Sequence, residues 1–555
     1  QPEYTGNFLM PGTGQYLYLV WDYTDGSTPP PTEEFLLDTY TGAAAGYSVR
    51  RLATSATNLM RIREDAGDTE TDIGYDSNNE LDTAAIATHC GTANGFVVSW
   101  VDQSGNSRNA TQSTEANQPQ IYDGSAVITE NGKPALQGGA SKYLSQPTAV
   151  SVSNDLTLLA VADTSNLTTT QLILGVDTDT CATDTQIFTD SNGSRINGRN
   201  ASCGFVHSTK SGNSTLFIGV LDYTNDELVA RYNGSAQSAV TGLTENPTSI
   251  DWNIGANTSG SSNNLGTYKE VIIWLSAQSP TNATGIETDI NSEYLIYQPT
   301  DAPTSGLLAT YTGAAAAYSV RQLANTAVMS MRVRRDSDDE ETNIGFDSNG
   351  DLDTAGIASF CGTANGYVTR WWDQSTNGNH ADQATDTRQP QIYDGSAVIT
   401  NENGNVAMEL ASHKYMQTLT QFNIATHSAF MVVQGTSQRR SVYTMGSFST
   451  YEFNIWNNSL ITTFVGGSAD SSTATTDSVT HLLGAIYDGS TIDVYIDGSQ
   501  DYTAARAATG TYRLSFGARN SGTIYASEFV MWDDDESSNR TGIETNQNDH
   551  FDIYT

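Results

Sequence analysis

The 555 residues carry 63 acidic against 25 basic side chains, a formal charge of −38, and only five of the basic residues are lysine. Such a surface repels phosphate backbones and anionic membranes, which excludes nucleic acid as a partner, and no apolar run reaches the ~18 residues of a membrane span, which excludes membrane insertion. Four cysteines are too few for a disulfide scaffold.

In chain order, QYLYLVWDY at 15–23 reads as an aromatic strand preceded by the turn-forming PGTG. A lone strand is not stable. Residues 1–23 are therefore expected to close a preceding N-terminal or attachment domain, or to pair with a partner. The chain begins at Gln1 and not at Met, which fits a processed product or part of something longer. Residues 24–34, TDGSTPPPTEE, read as a stiff proline-containing linker.

From Thr39 the chain is duplicated. The stretch to Thr129 returns as Thr310–Thr400 at a constant spacing of 271, with 59 identities in 91 positions. Solenoid repeats run at about 20 to 50 residues, so this is a duplicated globular domain. Copy 1 spans 35–297, QPTDAPTSG at 298–306 is a second linker, and copy 2 spans 307–555. The likeness fades after 129. It returns as KEVIIW at 269–274 with SEFVMW at 527–532, and as TGIET at 284–288 with TGIET at 541–545, so the second copy is 14 residues shorter.

Within each copy AAAGYSVRRL (43–52) or AAAAYSVRQL (314–323) reads as a short helix, and MRIRED with TDIGYD reads as a hairpin. LDTAAIATHC has helical spacing, and GFVVSWVDQS is a strand running into a polar turn. In the later half STIDVYIDGSQ (490–500) alternates and closes in Asp-Gly, with ELVARYNGS (227–235) as its counterpart. EVIIW or EFVMW then forms an apolar strand before a terminal helix. Short strands with Asp-Gly and Asn-Gly turns and few helices predict an all-β protein of two tandem antiparallel sandwiches.

Candidate residues follow from this layout. Asp347, Asn349, Asp351 and Asp353 place oxygens at alternate positions, as a Ca2+ loop does, and their counterparts are Asp76, Asn78, Glu80 and Asp82. The bidentate Glu of such a loop is missing, which favours an Asx-type turn. No His spacing suits catalytic zinc, so possible Ca2+ is the one cofactor expected. Cys90 and Cys361 read as buried free thiols. Cys181 and Cys203 flank a polar hairpin found only in copy 1 and are either bridged or free. Asp102 and Asp373, in the DQS turns, read as anchors for backbone amides, with Arg50, Arg61, Arg63, Arg321, Arg332 and Arg334 paired to such buried carboxylates. Trp100, Trp274, Trp371 and Trp532 belong to core strands. Loops 181–203, 257–267 and 448–475 are the expected ligand surface.

The series YSVRRL, RIRED, DIGYD, LDTAA, HCGT and WVDQSGNSRNATQ resembles the opening of the α-L-arabinofuranosidase B catalytic domain. The later strands and terminal helix resemble concanavalin A-like lectin/glucanase domains of jelly-roll type. The array also resembles those of large bacteriophage virion proteins, including tail fibres and capsid-attached fibres. The resemblance implies a lectin-like sandwich in each copy and, for the enzymes, two carboxylates and an adjacent cysteine pair at the sugar pocket. This chain has no Cys-Cys dipeptide. Glu270 with Glu528, and Glu287 with Glu544, are the acidic positions that recur in the later half, and they read as structural.

The expectation is a non-catalytic virion surface protein, a fibre or capsid decoration, that binds host or environmental glycans. It would sit on the virion surface or be extracellular, contacting other virion proteins through its N-terminal segment and cell-surface glycans through its loops, with homo-oligomerisation open. The alternatives are a glycoside hydrolase of the α-L-arabinofuranosidase type and a cellular adhesin or surface-layer protein.

Overall fold

The computed structural model describes the strands Thr5–Leu9 and Tyr16–Val20 and residues 35–554, apart from short segments at 164–168, 177–184, 200–203, 209–214, 244–246, 300–301, 436–439, 447–450, 456–459, 466–467, 476–477 and 518–521. Cys181, Cys203 and the 24–34 linker lie outside the described residues. The aromatic strand near the N-terminus has a partner within the chain, because Tyr16–Val20 pairs antiparallel with Thr5–Leu9.

Each copy is a two-sheet antiparallel sandwich with few helices. In copy 1 the strand Thr267–Trp274 is the spine of one sheet, buried along its whole length. Ala43–Ser48 pairs with one of its edges and Leu156–Ala162 with the other, followed by Thr215–Asp222 and Glu227–Tyr232. Met60–Glu64 and Asn94–Trp100 enter the second sheet, which continues through Leu144–Ser151, Ser249–Ile254 and Gln171–Val176. The short strand Leu136–Gln137 joins the sheets, bonding Thr267–Trp274 on one side and Gln120–Asp123 on the other.

Copy 2 repeats the plan around Ile524–Trp532, flanked by Ala314–Ser319 and His427–Gly435. Trp100, Trp274 and Trp371 are fully buried and Trp532 nearly so. Each of these rings buries a large apolar area, so they anchor the space between the sheets.

Local expectations are overturned at two places. The described parts of segments 181–203 and 448–475, expected as loops, are mostly paired strands, Thr185–Asp190 with Gly193–Gly198 and Leu460–Val465 between Tyr451–Ile455 and Ser468–Thr475. AAAGYSVRRL and AAAAYSVRQL are not helices. Their cores, Ala43–Ser48 and Ala314–Ser319, are strands beside the spine, and short helical turns, Leu36–Thr39 and Leu307–Thr310, precede them. Alanine favours helix by a few tenths of a kcal/mol per residue, and pairing plus burial on both faces outweighs that. Small side chains are required because a helical turn lies on the strand: a Cβ at Gly46 would stand 2.7 Å from Leu37 Cδ1.

The copies meet head to tail. In the Glu130–Lys133 hairpin, Asn131 and Gly132 both have positive φ, and a Cβ at Gly132 would fall 2.2 Å from Thr342 Oγ1 of copy 2. The Asn343 amide donates to Asn131 Oδ1 (2.9 Å), and Asn343 Nδ2 donates to the Leu295 carbonyl (2.7 Å). Gln298, at the start of the second linker, accepts from the Val328 and Met329 amides at 3.2 and 3.0 Å. The linker is thus fastened to copy 2 by named hydrogen bonds.

Candidate functional site: carboxylate clusters and a cleft between the copies

The register of the spine decides where its carboxylates point. Glu270 pairs with Ser48, and Glu528 pairs with Ser319. Ser48 Oγ donates to Glu270 at 2.8 Å and Arg50 Nε at 3.0 Å, with Tyr294 OH closing the group at 3.0 Å. In copy 2 Glu528 accepts from Ser319 (2.7 Å), Arg321 (2.7 and 3.0 Å) and Gln547 (3.0 Å). Burial works against the charge on Glu528, but Arg321 and these donors outweigh it and hold the carboxyl below its usual range. With all their neighbours bonded to them and no exposure, these two carboxylates brace the fold.

Glu287 and Glu544 lie on the terminal helices Pro280–Tyr294 and Arg540–Phe551 and bond Arg231 and Arg540. Burial pushes Glu544 up to about 7, Arg540 opposing it. That value suits a proton donor. At 2 % exposure, however, Glu544 cannot meet a sugar without displacement of its helix.

The DQS turns are anchors. Asp102 accepts from the Gly46, Ser104 and Arg108 amides at 3.0, 2.9 and 3.0 Å. Asp373 does the same for Ala317, Ser375 and Asn379, each at 2.9 Å. The arginine expectation holds for Arg50 and Arg321. It fails for Arg61, Arg63 and Arg334, whose partners Asp72, Asp68 and Asp339 are exposed, and for Arg332, which bonds Asn343. Those arginines stand on interior strands, Met60–Glu64 and Met331–Arg335, and reach partners on the next short strand or its turn, where a carboxylate can stay in water.

The candidate Ca2+ oxygens are placed individually. Asp347 Oδ1 accepts from the Asn349 and Asp351 amides at 2.8 and 3.0 Å, an Asx turn, and Asp353 caps the helix Thr354–Cys361 through the Gly356 amide at 2.8 Å. Among the described residues no three His, Cys, Asp or Glu side chains converge as a metal group would. Cys90 and Cys361 are buried free thiols at the ends of Thr83–Cys90 and Thr354–Cys361.

The head-to-tail junction encloses a cleft of about 1070 Å³ walled by both copies. Copy 1 contributes Asp76, Asn78, Glu80, Lys133 and Glu293, and copy 2 contributes Arg335, Asp347, Asp353, Ser359 and Phe360. Lys133 joins the Asx loop to the terminal helix, its Nζ 2.5 Å from Glu80 Oε1 and 2.6 Å from Glu293 Oε1. Burial raises Glu80, with Lys133 pulling the other way. On Glu293 burial is outweighed by Lys133 and Arg50, and that carboxyl is lowered.

Two carboxylates this close, about 5 Å apart at most, have the span of a retaining glycosidase pair. With the ammonium between them they form a closed ion triad whose outward chemistry is hydrogen bonding to hydroxyls. The triad is not duplicated, since the matching positions in copy 2 are Asp351, Asn405 and His550. Its signal in the sequence was a lysine, one of five, standing in a strongly acidic chain.

No curated protein matches this chain. Among solved structures, a mutant GH54 α-L-arabinofuranosidase soaked with 4-nitrophenyl α-L-arabinofuranoside is 13% identical, with a TM-score of 0.36 over 68% of this chain and 88% of that one. An arabinofuranosidase complexed with arabinofuranosyl-α-1,2-xylobiose is 14% identical, with a TM-score of 0.36 over 68% and 87%. The CBM40 of a Ruminococcus gnavus IT-sialidase, bound to α2,3-sialyllactose, is 11% identical with a TM-score of 0.22, over 27% of this chain and 100% of that one. The finding that bears on function is a match to a family model: residues 307–531, most of the second copy, resemble the catalytic domain of α-L-arabinofuranosidase B.

Proposed function

We propose that this protein acts outside the cell on glycans that carry α-L-arabinofuranosyl groups, as a glycoside hydrolase of the α-L-arabinofuranosidase type. The observation that carries this reading is the match of residues 307–531 to that family's catalytic domain. The acidic surface and the sandwich fold are consistent with it. The decisive measurement is release of 4-nitrophenol from 4-nitrophenyl α-L-arabinofuranoside, together with release of arabinose from arabinosylated xylo-oligosaccharides. Turnover well above the uncatalysed rate supports the reading. Its absence, with intact glycan binding, overturns it.

A second reading is favoured by a specific observation. The carboxylates that recur in both copies, Glu270 with Glu528 and Glu287 with Glu544, are engaged by arginines in both sandwiches. On this reading the protein holds glycans without cutting them, displayed on a virion or cell surface. Paired domains would then gain strength from joint engagement where their geometry allows it. Binding without turnover, together with recovery of the protein from purified particles, supports this second reading over the first.

A further inference from the structure

We infer that the cleft between the copies is a binding groove for a neutral oligosaccharide, a site that neither sandwich possesses alone. The glycan class rests on the function proposed above. The location and the charge selectivity rest on the cleft itself.

Its volume of about 1070 Å³ is at the upper end of ligand pockets, room enough for several sugar rings. Its lining offers five carboxylates against Lys133 and Arg335. That surplus repels uronates, sialic acids and phosphates, whereas neutral hydroxyls can donate to carboxylates and accept from the two cations. Apolar surface is present too. Phe360 lines the cleft, and the Arg335 guanidinium lies 4.8 Å from the centre of its ring, giving a flat wall of the sort sugar rings pack against.

The walls are fixed before any ligand arrives. Asn131, Asn343 and Leu295 bond across the junction, and the Lys133 triad ties the loop bearing Asp76 and Glu80 to the terminal helix of copy 1. A pre-built groove loses little entropy on binding. The triad residues are also those at which copy 1 departs from copy 2, so the groove is a property of this junction and not of the repeated unit.

The test fills the groove. Ala355 is an exposed residue in the first turn of Thr354–Cys361 and lines the cleft, whereas Ala84, its exposed counterpart in copy 1, does not. Titration calorimetry with arabinosylated xylo-oligosaccharides is run on the full chain, on Ala355→Trp and on Ala84→Trp, with oligogalacturonate as the charged comparator. Thermal melts verify that both variants fold.

The expected result is binding of the neutral glycan by the full chain and Ala84→Trp, at least tenfold weaker binding by Ala355→Trp, and none of oligogalacturonate by any of them. Equal affinity of Ala355→Trp and the full chain, or binding of oligogalacturonate, overturns the assignment. If Ala355→Trp binds and turns over arabinofuranosides normally, the groove is refuted while the proposed function stands. If the glycan binds in the groove without turnover, the hydrolase reading falls and the groove remains. If the full chain binds no glycan, the groove falls, and the hydrolase reading is decided by turnover alone.

Discussion

His427 opens the buried strand His427–Gly435 and is inaccessible to water, its ring 4.5 Å from Tyr451 and 5.8 Å from Tyr487 between centres. Copy 1 has Leu156 at the same place in its sheet, since Ser428 pairs with Trp532 as Thr157 pairs with Trp274. Burial lowers His427 from 6.5 to about 3, with the Ile424 carbonyl pulling weakly the other way. The folded state therefore holds a neutral ring where the unfolded chain binds a proton. Stability from this group is complete above pH 6.5 and is lost progressively as pH falls toward 3. At pH 5 the loss is about 2 kcal/mol, and at pH 4 about 3 kcal/mol.

His427→Leu restores the copy 1 residue and removes this pH dependence. Urea unfolding of the full chain and of the variant at pH 7, 6 and 5 isolates it, because other acid-sensitive groups, such as His380, which burial lowers to about 4, remain in both. The copy 2 transition of the full chain should lose about 2 kcal/mol more than that of the variant between pH 7 and pH 5, or about 4 to 8 °C in Tm for a domain of this size. Parallel pH profiles for the two proteins would refute the reasoning, whatever their absolute stabilities.

Further outcomes follow from the same bonds. Glu528→Gln leaves Arg321 buried without its counter-charge and should cost copy 2 about 3 to 5 kcal/mol in urea unfolding, while copy 1 is unchanged. Asp373→Ala strips acceptors from three amides and should lower copy 2 stability by about 2 to 4 kcal/mol, with faster hydrogen exchange at Ala317, Ser375 and Asn379. Burial pushes the Cys90 and Cys361 thiols up to about 11, so neither should react with iodoacetamide at pH 8 until denaturant is added. Rapid labelling of either thiol in the folded protein would contradict its placement.

Much of the sandwich was legible because strands advertise themselves by period. Ile492, Val494 and Ile496 alternate before Asp497-Gly498, and the strand Thr491–Ile496 ends there as expected. The DQS turns were legible for a local reason, since a short acidic side chain followed by Ser favours capture of nearby amides. Ala43–Ser48 was misread because its small residues carry a helical preference that only the neighbouring spine overrides. The cleft had no signature of its own. Lys133, Glu293 and Phe360 are distant in sequence, and their meeting depends on how one copy docks on the next, which no periodicity encodes.

The docking of the copies also bears on how far such stacking can go. A head-to-tail contact can in principle repeat without limit and build a filament. Here the outward face of copy 1 carries Asp72 where copy 2 has Asn343, and that carboxylate, held by Arg61 at 2.7 Å, has no amide hydrogen to offer a carbonyl like that of Leu295. The outward hairpin of copy 2 turns through a longer loop, in which the Asn401 amide bonds the Asn405 carbonyl, in place of the tight Asn131-Gly132 corner. Among the described residues donor and acceptor thus match once, at the junction, and the pairs that weld the two copies together are not offered again on the outward faces.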